Sequence, residues 1–326
     1  MGSRAIYSSR QVISIPLATF RSPPRFPPFP ASMIPRELFR KIRRVEVRTR
    51  GLVESVFGGE YHSAFRGRGI EFAEVRPYQV GDDVRTIDWN VSARTGEPYV
   101  KLFDEEREQT LVLAVDVSGS EDFGSGVQAK RDLAAEVCAV LGFSALQSGD
   151  RVGLILFTDA VERFVPPQKG KRHVLRVLRD LYAHAPRSRG TDVVGALDHV
   201  MRVVRRRAIV VLVSDFLVSD PDALARALRR TSRRHDLVAV RVVDPREEAL
   251  PAVGLLRVAD AETGAEAVVD TSSPAVRQAF ARRAAARAAR TEAMLAASRV
   301  DHVTVRTDTD YVDPLAAFFR RRARRR

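Results

Sequence analysis

From residue 110 onward the chain alternates short apolar runs with amphipathic stretches, and this rhythm restricts its fold more than any other feature. The run 110–117 (TLVLAVDV) is apolar at successive positions, the pattern of a strand covered on both faces. A helix over 128–148 follows, then strands at 151–158 (RVGLILFT) and 161–165 and helices at 171–183 and 193–206. A strand at 208–214 (AIVVLVS), a helix at 221–234 and a strand at 237–243 (LVAVRVV) continue the series. Such alternation predicts an α/β fold with a doubly wound, mainly parallel sheet and helices on both faces. Beyond residue 244 the pattern predicts a hairpin at 255–269, a long Ala/Arg helix at 275–298, a strand at 302–306 and a helix at 313–323. These add an edge to the sheet and a cap.

In an open parallel sheet, ligands gather beyond the carboxyl ends of the strands, near the point where strand order reverses. The first strand runs into Asp116-Val117-Ser118-Gly119-Ser120, an acid and two hydroxyls at alternate positions. With no Cys or His beside them, these oxygens suit Mg2+, or Mn2+, better than zinc. Thr191, in the loop before the helix at 193, and Asp215, closing VLVSDF, fall on the same edge of the sheet. Taken singly, each of the five reads as a helix cap or turn former. Their convergence on one edge is what points to a cation with a position left open for water or a partner's carboxylate.

D-x-S-x-S after a buried strand, the distant Gly190-Thr191-Asp192 and the strand-terminal Asp215 resemble the metal-ion-dependent adhesion site of a von Willebrand factor type A domain, over about residues 108–245. The stretch before it, GRGIEFAEVRPYQVGDDVRTIDWNVSARTGEPYVKLFDEERE, is similar to the signature of the bacterial family called domain of unknown function 58, a likeness running from Ile34 to the C-terminus. The resemblance implies a metal held by Asp116, Ser118, Ser120, Thr191 and Asp215, and a protein-interaction role beside a MoxR-type AAA+ ATPase in chaperone-like or complex-assembly work. One departure from the type A pattern is Glu121-Asp122 directly after Ser120. These acids either modulate the site or are solvated in the turn GSEDFGSG, the reading its composition favours. Asp192 reads as a helix N-cap.

The chain divides into a Pro-rich extension (1–32), a signature module (33–107), the type A region (108–245), a C-terminal extension (246–319) and a basic tail (320–326). SPPRFPPFP places five of the 17 prolines in nine positions and has no helical or strand period. Met33 reads as an alternative start, with a transit peptide as the competing account. Residues 35–57 carry apolar positions at helical spacing, as one helix or two short ones, and Gly58-Gly59 signal a turn before a small strand-bearing module.

The net charge of +13 resides at the ends: residues 1–50 hold 11 basic and 2 acidic side chains, 320–326 hold 6 Arg, and 51–319 come to −2. Nucleic-acid or anionic-surface binding through the termini is therefore the alternative function, with no specific nucleic acid expected. A single Cys excludes a disulfide framework and a Cys-based zinc site, which makes a reducing, cytoplasmic setting the expectation. No apolar run approaches the roughly 20 residues of a membrane span. The six His are scattered away from ligand spacing, and Cys138 lies in an apolar helix. DVSGS lacks the second Asp of phosphate-transfer loops, and neither G-x-x-x-x-G-K-[ST] nor G-x-S-x-G occurs, so the chain is expected not to be an enzyme. In GDDVRTIDW, the charged residues read as an internal lattice or a partner-facing patch.

Overall fold

The computed structural model describes residues 36–65, 71–104, 108–126 and 128–325, omitting the side chains of 36–39, 41, 71–74 and 101–104. The Pro-rich extension, Met33, Gly67 and Gly69 lie outside the described residues. In chain order the elements are α1 (Arg36–Leu52), a π-turn (Val53–Phe57), α2 (Gly58–Ala64), β1 (Glu71–Pro77), α3 (Trp89–Thr95) and β2 (Tyr99–Asp104). The sheet region follows with β3 (Thr110–Asp116), α4 (Lys130–Gln147), β4 (Arg151–Phe157), β5 (Val161–Gln168), α5 (Lys171–Ala183), α6 (Val193–Val203), β6 (Ile209–Ser214), α7 (Pro221–Arg234) and β7 (Asp236–Val243). Last come α8 (Pro245–Glu248), β8 (Leu255–Ala259), β9 (Glu266–Asp270), α9 (Pro274–Ala297), β10 (Asp301–Arg306) and α10 (Val312–Ala323).

Six strands form the main sheet in the order β10-β7-β6-β3-β4-β5. All neighbours are parallel except β4 and β5. Residues 158–160 alone separate those two, and a parallel neighbour needs a crossover of about a dozen residues, so this pair closes as a hairpin. β10 supplies the added edge. The β8–β9 hairpin instead forms its own two-stranded sheet.

The central strand shows why its sequence is apolar throughout. Leu111, Leu113 and Val115 point into a core shared with α4, α5 and α10, while Val112 and Ala114 point into one built from α6, α7 and Leu295 of α9. Alternate side chains of a strand face opposite layers, and here both layers are dry.

Two expectations change at the chain's ends. Gly58-Gly59, read as a turn, lies inside α2. The glycines cost about 1 kcal/mol each in a helix, and the burial of Phe57, Tyr61, Ala64 and Phe65 beside them offsets it. A side chain at Gly58 would also meet Gln147 Oε1 of α4, its Cβ only 2.7 Å away. The tail 320–326 is in part structured: α10 runs to Ala323, and Arg322 is buried, ion-paired to Asp236 and Asp301 and stacked 4.8 Å from the Phe65 ring centre. Two half-buried acids at the start of β7 and β10 thus draw the arginine in. α1, the π-turn and α2 share the core cluster of the sheet through Val45, Val53 with Phe57, and Tyr61 respectively.

Candidate metal centre

β3 ends on Asp116 at the carboxyl edge of the sheet, and β6 ends one residue before Asp215 beside it. Because the chain leaves β3 toward α4 and returns through β6 on its other side, both acids stand at the switch point. Asp116 Oδ1 accepts the Ser118 amide at 2.9 Å and Oδ2 accepts the Ser214 hydroxyl at 2.8 Å. The Ser118 and Ser120 hydroxyls lie 3.2 Å apart, and the Ser120 hydroxyl is close enough to Asp215 to help lower its pKa. Phe216, next to Asp215, has φ +59. That left-handed backbone costs a bulky residue about 1–3 kcal/mol and is held here by its burial and by its amide donating to Ser214 Oγ at 3.1 Å.

Four of the five sequence-predicted ligands, Asp116, Ser118, Ser120 and Asp215, therefore meet in one buried cluster. Thr191 stands at its rim. The Gly119 amide donates to the Arg189 carbonyl at 3.0 Å, tying Thr191's loop to the metal loop, while Thr191 Oγ1 donates to Glu262 Oε1 at 3.1 Å. Asp192 caps α6, accepting the Gly195 amide at 2.8 Å.

The structure also brings in Glu121, for which solvation in the turn is the favoured sequence reading, and Lys130, which the sequence does not mark. The loop from Gly119 to Asp122 is a tight 3-10 turn, whose successive side chains point about a third of a circle apart. Ser120 and Glu121 consequently face inward and Asp122 faces out toward Arg131. Glu121, read as solvated, is 1% exposed, and neither of its carboxylate oxygens has a hydrogen-bond partner among the described residues. Burial pushes its pKa well above the ordinary carboxylate range. One carboxylate oxygen each from Asp116, Glu121 and Asp215 lies within 4.8 Å of the others.

Lys130, in the first turn of α4, is fully buried and its Nζ donates to Asp215 Oδ2 and Glu247 Oε1, each at 2.7 Å. Burial opposes its charge, but Asp215, Glu121 and Glu247 overcome that and hold it protonated. Asp215 likewise overcomes its burial through Lys130 and stays below the usual carboxylate range. Burial and the neighbouring Asp215 push Asp116 up to about 7. No sequence signal marks Lys130, because KRD at a helix start looks like a solvated first turn.

Charge balance tests whether these residues fit a metal. Asp116, Glu121, Asp215 and Glu247 face one buried ammonium, Lys130, with the half-buried Arg287 guanidinium near Asp215 and Glu247, so the acids still outnumber the cations. Uncompensated buried charge costs several kcal/mol per ion, so this cluster requires either protons or a further cation. A divalent ion offsets most of the excess, and the donors are all oxygens, the preference of Mg2+ and Mn2+. The residues fit.

The remaining candidates are structural. His173 bonds to the Val152 carbonyl at 2.8 Å, and His184 faces Glu162 at 2.7 Å. Cys138 is buried, its thiol pushed up to about 12 by burial. In the signature module Arg76 pairs with Asp82 through both guanidinium nitrogens, Arg85 pairs with Asp83, and Asp88 caps α3. The part-buried Arg76–Asp82 pair and the Asp88 cap fit the lattice reading, while the Arg85–Asp83 pair and Trp89, 71% exposed, face solvent.

A six-stranded sheet with one antiparallel edge, carrying D-x-S-x-S after its central strand and an acid after the adjacent one, defines a von Willebrand factor A-like protein. The chain belongs to the family described as "Protein of unknown function DUF58", whose profile matches residues 74–290. It is 36% identical over 292 residues to "Uncharacterized protein Rv1480" of Mycobacterium tuberculosis (strain ATCC 25618 / H37Rv), covering 88% of this chain and 90% of that one. Among solved structures it is similar to the hypothetical protein BatB from Bacteroides thetaiotaomicron, with 14% identity, TM-score 0.42 and coverage of 66% of this chain and 99% of that one. It is also similar to a von Willebrand factor type A protein from Catenulispora acidiphila, with 15% identity, TM-score 0.39 and coverage of 69% and 43%. At these scores the class rests on the chain's own strand order and loop positions. No helix among the described residues is long and apolar enough to cross a membrane.

Proposed function

We propose that this protein is a metal-dependent protein-interaction module. Asp116, Ser118, Ser120, Thr191 and Asp215, joined by Glu121, hold Mg2+ or Mn2+ at the carboxyl edge of the sheet. When bound, the ion supplies an open coordination position that accepts a carboxylate from a partner protein. The observation that carries this reading is Glu121: a carboxylate buried with no hydrogen-bond partner among the described residues, beside Asp116 and Asp215.

By family resemblance, the partner class is a MoxR-type AAA+ ATPase or its client, in a chaperone-like or assembly role in the cytoplasm. The proposal is one of binding without turnover; release of phosphate from a generic phosphoester in Mg2+ or Mn2+ would count against it. The direct test is Mn2+ titration by electron paramagnetic resonance. The full chain is expected to bind one ion, and Asp116→Ala to abolish that binding. Partners retained by the full chain in affinity purification are expected to be lost in EDTA. Retention in EDTA, or by Asp116→Ala, overturns the mechanism.

A further inference from the structure

The β8–β9 hairpin ends over the metal edge. Leu256 and Val258 on its inner face pack with Leu250, Val276 and Phe280 and with Phe123, the residue that follows the metal-loop turn. Its tip, residues 260–265, holds itself in shape. The Asp260 amide donates to the Ala265 carbonyl at 2.8 Å, and Asp260 Oδ1 accepts the amides of Glu262 at 3.0 Å and Thr263 at 2.8 Å. Gly264, with φ +74, closes the turn.

Two contacts join this tip to the metal loops. At Gly119 an added Cβ would stand 2.5 Å from the Ala261 carbonyl oxygen, so only glycine lets the hairpin settle there. Glu262 Oε1 accepts the Thr191 hydroxyl at 3.1 Å. Glu262 is exposed, yet it feels the charges of both Asp215 and Lys130 inside the cluster. It is thus a carboxylate, delivered from outside the strand ends, on the hydroxyl assigned to the ion's rim.

We propose that Glu262 is an in-cis ligand: the hairpin brings to the metal edge the same chemical group that a partner would supply, and partner capture requires the 260–265 turn to lift. This rests on the metal-binding reading above. It goes further by assigning a residue, a segment and a competition.

The test uses the full chain with Mn2+ alone as the probe, on the wild type, Glu262→Gln and Asp116→Ala. Glu262 is exposed, so its substitution leaves the core untouched, and an unchanged melting temperature without metal verifies this. In the wild type, Mn2+ is expected to slow amide hydrogen exchange across 260–265. In Glu262→Gln that slowing disappears, water-proton relaxivity per bound ion rises as water replaces the carboxylate, and the dissociation constant for Mn2+ rises about tenfold, the lower end of the effect of removing partners around a metal. If Asp116→Ala abolishes binding while Glu262→Gln matches the wild type in affinity, relaxivity and exchange, the in-cis ligand is overturned and the metal site stands. If the wild type takes up no Mn2+, both readings fall together.

Discussion

Lys130 is a permanent cation built into an acidic site, and its removal separates two roles that overlap in the wild type. Lys130→Met leaves Asp215 and Glu247 buried without their ammonium, a change of the kind that costs about 3–5 kcal/mol. Thermal denaturation in EDTA is expected to show that loss, and excess Mg2+ to recover part of it. Equal destabilisation with and without Mg2+ would mean that the ion and the lysine do not share carboxylates.

His235 makes a second prediction at this scale. It is 1% exposed, neither ring nitrogen has a hydrogen-bond partner among the described residues, and its pKa is lowered to about 4 by burial and by Arg234 and Arg207. With an unfolded value near 6.5, the unfolded chain binds the extra proton first, so stability present above about pH 6.5 is lost as pH falls toward 4, by about 3 kcal/mol. His235→Leu should flatten that part of the melting-temperature profile. Asp116, Ser118, Ser120 and Asp215 were legible in the sequence because strand ends announce where their side chains gather. Lys130, Glu121 and Glu247 were not, since their roles depend on how a helix start, a 3-10 turn and a distant loop meet in space.

Among the elements, α10 shows how much an Arg-rich helix can do inside a fold. Phe319 packs edge-on against Phe57, Tyr61 and Phe65, with ring centres 5.7–6.2 Å apart, while Arg322 reaches the acids at the β7–β10 edge. Arg322→Ala leaves two half-buried acids without their guanidinium and, discounted for their partial exposure, is expected to cost about 2–3 kcal/mol by denaturant titration; the exposed Arg324→Ala, two residues further on, should be nearly silent in the same titration. The run of arginines gave no hint of this division, because nothing in RRRARRR marks which residue faces Asp236. The alternation of strands and helices was legible because each buried strand must be apolar on both faces. The antiparallel turn of β5 followed from the short link before it, a length constraint that periodicity alone does not express.

For the whole molecule, the basic ends and the acidic site are separate matters. Residues 51–319 carry −2 in total, and within them the acids converge where Asp116, Glu121 and Asp215 meet. The core is also continuous across the boundary that composition placed at residue 107: Phe57 and Tyr61 share one cluster with Leu113, Val140 and Phe319. Phe57→Ala is therefore expected to destabilise the full chain by about 3–5 kcal/mol, read as a lowered midpoint of a single thermal transition; an early separate transition of the N-terminal helices would refute that unity.

The contact between Thr191 and Glu262 carries a kinetic consequence of its own. A competitor tethered to the same chain acts at an effective concentration of about millimolar order. A free acidic side chain meeting the site once would rarely prevail against it. A partner presenting several copies of its carboxylate, or pulling on the hairpin while it binds, would. The tether thus works as a threshold, passing sustained or multivalent engagement and ignoring chance encounters.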